Sequence, residues 1–149
     1  DAGDVTILAS TLWVEAVRKA AKADPNAVAQ VVARLSRKLN AIPATASFTV
    51  VRELELETQA EIFKLSNSAY IKLIFDINVA FSRRQFPAAP VSDDDSPEHL
   101  AFVRSWKEAK LQELNAISIG DRDLAVLAAQ YSRKVWGRRV WRRFAFPAD

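Results

Sequence analysis

The densest concentration of chemistry lies near the end of the chain. Arg133, Lys134, Arg138, Arg139, Arg142 and Arg143 place six positive charges within eleven residues, with no acid between them. Trp136, Trp141 and Phe144 alternate with these cations. Guanidinium groups pair bidentately with phosphate oxygens, and indole or guanidinium planes stack on unpaired bases. The pattern therefore points to contact with nucleic-acid backbone, independent of base sequence, whose affinity comes from released counterions and falls with salt. Read as a helix, the segment has an apolar row of Trp136, Val140 and Phe144. Lys134, Arg138 and Arg142 make a second row, and Arg139 and Arg143 a third, with both basic rows outside. Arg34, Arg37 and Lys38 form a second basic face that could extend the same surface. Two other readings fit these residues. One is a solvated terminal helix docked by its Trp side chains. The other is a helix docked on an acidic protein or an anionic membrane surface, since Trp and Phe opposite Arg suit lipid headgroups.

Other candidate constellations are weaker. Asp93, Asp94, Asp95, Glu98 and His99 resemble a metal site, but the alternating acids, central Gly and distal Glu of a calcium loop are missing. Acids just before a helix are accounted for by the helix dipole. His99 near Asp95 has no nucleophile or oxyanion pocket beside it, and a His in the first turn of a helix is expected to be solvated. Glu53, Glu57 and Glu61 repeat at i, i+4 beside Glu55. Di-metal bundles also need Glu-x-x-His pairs, and none exists here. A solvated acidic face, or one that docks a basic neighbour, is the expectation. No residue is therefore assigned a catalytic or metal-binding role, and no cofactor is expected.

Composition narrows the classes further. With 149 residues, half of them hydrophobic, and a net charge of +3, the chain has the length and apolar content of one globular domain. No Cys is present, which excludes disulfide frameworks, thiolate metal sites and cysteine nucleophiles. Three Gly cannot build a Gly-rich phosphate loop, and one His cannot build a His-rich metal site. Met is absent too, as expected of a trimmed or processed chain. No apolar run approaches the roughly 18 residues of a membrane span, and the cytoplasm is the expected location. Charge is uneven: residues 1–42 carry net +2, residues 43–103 net −4 and residues 104–149 net +5. Basic ends flank an acidic middle.

These residues must be positioned by helices. The first helix is expected from about Asp4, with Val5, Leu8, Leu12 and Ala16 on one face. Asp24-Pro25 caps and opens a second, patterned by Val28, Val31, Val32, Leu35 and Leu39, with Arg34, Arg37 and Lys38 opposite and Ile42-Pro43 as its stop. Residues 47–63 alternate well enough for a strand. Val51, Leu54, Thr58, Ile62 and Leu65 also share a helical face, and no second strand exists to pair with, so a helix is expected. Beyond Ser66-Asn67-Ser68, the stretch from Tyr70 to Phe81 is apolar nearly all round, with Tyr70, Leu73, Ile74, Ile77 and Phe81 on one face. Such a helix is expected at the centre of a bundle. Residues 87–96 read as a linker. Ser96-Pro97 opens a helix ending at Gly120, and Asp121 caps the last, patterned by Leu124, Leu127, Ala128, Tyr131 and Val135. The fold expected is an all-α, single-domain bundle of five to six helices over residues 1–149, with lobes 1–86 and 97–149 as a variant.

A small, all-helical chain that is basic at its ends and lacks catalytic residues resembles the small helical subunits of multi-subunit CRISPR effector complexes. The residues that carry this are Arg34, Arg37 and Lys38 on one helix and Arg133 through Arg143 on another. The resemblance is one of architecture and charge, without a diagnostic motif. It implies a non-catalytic subunit that contacts nucleic-acid backbone inside a larger ribonucleoprotein, self-associates and meets other subunits.

Overall fold

Capping residues and prolines divide the chain into helices α1 (Ala2–Ala20), α2 (Pro25–Ala41), α3 (Phe48–Ser66), α4 (Ala69–Gln85), α5 (Pro97–Ile119) and α6 (Arg122–Arg143). The computed structural model describes residues 2–85 and 96–143, with side chains for 8–81, 83–84 and 96–139. Asp93, Asp94 and Asp95 lie outside the described residues. Among those residues the fold is all α, and no helix is long and apolar enough to cross a membrane.

Most helix starts are set by a side chain accepting an otherwise orphaned backbone N–H. Asp24 accepts from Ala27 N at 2.9 Å, Ser47 from Val50 N at 3.2 Å, Ser96 from His99 N at 3.0 Å and Asp121 from Leu124 N at 3.0 Å. Pro25 and Pro97 follow their caps in the first turn, where a missing N–H costs nothing. Asn67 and Gly120 end α3 and α5 in the left-handed conformation. Residues 48–63 are helix throughout, with Val51, Leu54, Thr58 and Ile62 all buried on the expected face.

The core gathers around Trp13 of α1, Leu35 and Leu39 of α2, Ile62 of α3, and Trp106, Leu114 and Ile117 of α5. Helices α1, α2, α3, α5 and α6 all line it, so the segments on either side of residues 86–95 share one interior. α5 packs most extensively on α6 and α2, and α1 on α6 and α3.

α4 is not the central helix. It lies at the edge against α1 and α3. Ile71 is its one buried apolar side chain among those described, and Phe75 packs partly against the core with its ring 4.4 Å from that of Phe63. Tyr70, Leu73 and Ile77, expected to face inward, are 70%, 57% and 55% exposed. An apolar circumference identifies a helix that can be covered, but does not identify what covers it.

Gly120 and Gly137 call for opposite responses to a methyl group. Gly120 sits at φ 75°, and an added Cβ would come to 3.4 Å from the Ala21 carbonyl oxygen. Gly120→Ala should therefore destabilise by about 1–2 kcal/mol. Gly137 lies inside α6 with nothing within 4 Å of a built Cβ. Gly137→Ala should stabilise by about 0.5–1 kcal/mol, because alanine loses less backbone freedom. Urea denaturation of the two variants checks both signs.

Candidate nucleic-acid interface

The orientation of α6 is set from below. A buried network of charges joins it to α1, α3 and α5. Lys110 of α5 is fully buried, with its Nζ 3.0 Å from Glu55 Oε1 of α3 and 3.3 Å from Glu113 Oε1. Arg133 of α6, 13% exposed, places Nη1 at 3.8 Å from the same Glu55 oxygen. Two cations thus face two carboxylates away from water. The remaining carboxylate oxygens are also occupied. Trp106 donates its indole N–H to Glu55 Oε2 at 2.9 Å, and Trp13 donates to Glu113 Oε2 at 2.9 Å. Ser132 Oγ donates to Glu113 Oε2 at 2.7 Å, and Gln59 donates to Glu55 Oε1 at 2.9 Å. Lys110 also lies 4.7 Å from the centre of the Trp13 ring. Trp13 and Trp106 are thus core anchors, each with its N–H satisfied by a carboxylate.

The two carboxylates respond differently to this setting. Burial works to raise Glu55, but Lys110, Arg133 and the Trp106 and Gln59 hydrogen bonds outweigh it and hold Glu55 below its ordinary value. For Glu113 burial prevails over Lys110, Ser132 and Trp13, and nearby Glu55 adds to it, so its pKa is raised. Arg133 is lowered, chiefly by burial.

Nearly two turns further along α6 a second inward anchor appears. Arg139 is 5% exposed, and its Nη2 donates to His99 Nδ1 at 3.2 Å. The opposite ring nitrogen, Nε2, donates to the Ala46 carbonyl at 2.8 Å. These two bonds require a neutral ring with its proton on Nε2. His99 is fully buried rather than solvated, because the first turn of α5 lies under the end of α6. Between the two anchors, Trp136 stacks on Phe48 at 5.8 Å and 15° and sits 6.1 Å from Phe102, as expected of the apolar row.

With Arg133 and Arg139 turned inward, the expected double ridge reduces to one row among the described side chains. Lys134 and Arg138, four residues apart, are exposed, and neither pairs with a described carboxylate. α6 remains helical through Arg143 with no break at Gly137. The side chains of Val140, Trp141, Arg142, Arg143 and Phe144 lie outside the described residues. The N-terminal part of the same outward face carries Leu124, Leu127 and Tyr131, which are 42%, 63% and 51% exposed instead of lying in the core. Tyr131 therefore stands beside Lys134, an aromatic neighbour that the apolar periodicity conceals.

The α2 cations do not join this row. α2 packs on α3 and α5, and its basic side chains turn towards α3. Arg34 Nη2 lies 2.5 Å from Glu61 Oε2, and Lys38 pairs with Glu57. Arg37 is exposed without a described ionic partner. The acidic repeat on α3 is accordingly not a free face. Glu57 and Glu61 neutralise α2, Glu55 is buried, and Glu53 lies 3.7 Å from Arg83. No cluster of three His, Asp or Glu side chains suited to a metal occurs among the described residues.

Comparison with protein-family models, curated proteins and solved structures finds no match to this chain.

The unequal setting of the two buried carboxylates has a measurable consequence. Removing the charge of Glu55 leaves Lys110 and Arg133 with too little negative charge, so Glu55→Gln should cost about 3–5 kcal/mol at pH 7. Its stabilising ionisation is present above the ordinary pKa of 4.5 and is lost as pH falls through the lowered folded value, so that cost should shrink well below pH 4.5. Glu113 has the opposite sign. Its raised pKa makes its ionisation oppose folding as pH rises above 4.5, so Glu113→Gln should cost less than Glu55→Gln at pH 7. Denaturation of both variants at neutral and acid pH tests the ordering.

Proposed function

We propose that this protein is a non-catalytic helical module that holds nucleic-acid backbone on the outward face of α6. Lys134 and Arg138 grip the phosphates, the row continues in sequence to Arg142, and Tyr131 offers a ring on which an unpaired base can stack. The observation that carries the reading is the partition of adjacent cations. Arg133 and Arg139 are held inside by Glu55 and His99, whereas Lys134 and Arg138 meet solvent without a described carboxylate. Repelling charges four residues apart on one helix face are accounted for by an anionic partner that spans them. The resemblance to small subunits of CRISPR effector complexes supports placing such a module inside a larger ribonucleoprotein, where a weak, sequence-independent grip is sufficient.

A second reading has one observation in its favour. Leu124 and Leu127 prolong the basic row as an apolar strip, which suits an acidic protein surface or an anionic membrane better than it suits phosphates alone.

The salt dependence of binding to a labelled single strand separates these readings. Replacing Lys134, Arg138 and Arg142 together with Ala should weaken binding equally for all base sequences. It should also reduce the slope of log K against log salt by about 0.7 for each phosphate that is no longer neutralised. Unchanged affinity and slope, or no binding at low salt, would overturn the assignment. Loss on Leu127→Ser of sedimentation with anionic vesicles would favour the second reading.

A further inference from the structure

α4 leaves three large apolar side chains more than half exposed, and the two charges in its middle are arranged symmetrically about them, with Arg83 and Arg84 following in its last turn. Tyr70, Leu73 and Ile77 follow one another at spacings of three and four, each more than half exposed. Between Ala69 and Phe81 the charged residues are Lys72 and Asp76 alone. They pair with each other, Nζ to Oδ2 at 2.6 Å, while 61% and 54% exposed. On the 3.6-residue wheel they lie on one border of the exposed arc, with Tyr70 and Ile77 on the other and Leu73 between.

We infer that α4 packs antiparallel against α4 of a second copy of this chain, about a two-fold axis level with Leu73 and Ile74. A two-fold contact uses one patch twice, so the patch must be complementary to itself. Tyr70 and Ile77 stand equally far on either side of the level between Leu73 and Ile74. Lys72 and Asp76 stand two residues on either side of Ile74. These two centres differ by half a residue, less than ~1 Å of helix rise. In the antiparallel pair Tyr70 therefore meets Ile77 of the second copy, Leu73 meets its own counterpart near the axis, and Lys72 faces Asp76 of the second copy. Each intramolecular ion pair becomes part of a four-charge array, bordering a seam of leucine, isoleucine and tyrosine.

Charge selects this occupant over others. An anionic membrane or an acidic protein would call for a net positive border, but Lys72 is balanced by Asp76, Arg83 lies 3.7 Å from Glu53, and Arg84 stands beyond the span from Tyr70 to Ile77 that the pair covers. A basic partner is disfavoured in the same way. The packing of α4 agrees, because the helix touches α1 and α3 over a narrow face and leaves the arc centred on Leu73 open. One helix pair buries less than the roughly 800 Å² per partner of a standard interface, so the association is reversible and concentration-dependent. It uses a different helix from the basic row and does not depend on nucleic-acid binding.

The test is sedimentation velocity of the full chain across the micromolar range, with circular dichroism to check that each variant keeps its helices. The unaltered chain should pass from monomer to dimer, and Leu73→Glu should stay monomeric. Lys72→Glu and Asp76→Lys should each weaken self-association at least tenfold, because each places like charges across the seam. An equimolar mixture of these two variants should recover the association, because opposite charges then face one another in the mixed pair. All altered positions are exposed in the monomer, so the mixing result stands even if Leu73→Glu folds poorly. A chain monomeric throughout, a dimer indifferent to Leu73→Glu, or a mixture that associates no better than either variant alone would overturn the inference.

Discussion

Lys110 is the side chain on which the arrangement depends. It has no exposure to water, and it stands between carboxylates from α3 and α5 under an indole from α1. An ammonium group in such a place is tolerated only with partners on all sides. Glu55, Glu113, Trp13, Trp106, Ser132 and Arg133 complete the network from four different helices. Buried ion pairs of this kind add little net stability relative to a well-packed apolar core, because desolvation offsets much of the attraction. In this fold their consequence is geometric. A rotation or slide of α6 by one residue would take Arg133 and Ser132 out of register with Glu55 and Glu113 and leave buried charge uncompensated.

That register decides which surface the protein presents. Successive residues of a helix point about 100° apart, so fixing Arg133 inward sends Lys134 outward. Seven residues after Ser132, two helical turns on, Arg139 returns to the inner face and meets His99. Arg138 is again left outside. A single inner constraint thus separates cations that are chemically equivalent in the sequence into structural and surface groups.

The parts of the fold legible in the sequence are those with local causes. Ser47, Ser96, Asp24 and Asp121 act on N–H groups three residues away, so the caps and breaks follow from neighbours alone. The faces of α2 and α3 are legible because each is buried along one clear stripe. α4 and α6 depart from their apolar periodicity, and in α6 the reason is visible. Large apolar side chains at helical spacing suggest an inner face, but close approach between helices favours small ones. The inner face of α6 is Ala125, Ala129 and Ser132, all essentially fully buried, while the larger Leu124, Leu127 and Tyr131 are left outside. The candidate site is legible as a concentration of charge but not as a surface. Which arginines are anchors depends on Glu55 and His99, dozens of residues earlier, and no spacing within the tail encodes that. The pairing of Arg34 and Lys38 with α3 is hidden in the same way, because it joins a basic and an acidic stripe that are each visible but whose apposition is tertiary.

The central claim is that neighbouring arginines of α6 have opposite tasks. The most direct test compares Arg138→Ala with Arg139→Ala, measuring unfolding free energy and nucleic-acid affinity on the same samples under conditions where both variants are folded. Arg138→Ala should leave stability within about 0.5 kcal/mol of the parent while weakening binding. Arg139→Ala should lower stability by about 2 kcal/mol or more, because buried His99 then loses the guanidinium that donates to its Nδ1, with affinity little changed. The reverse pattern, or equal effects of the two substitutions on both quantities, would contradict it.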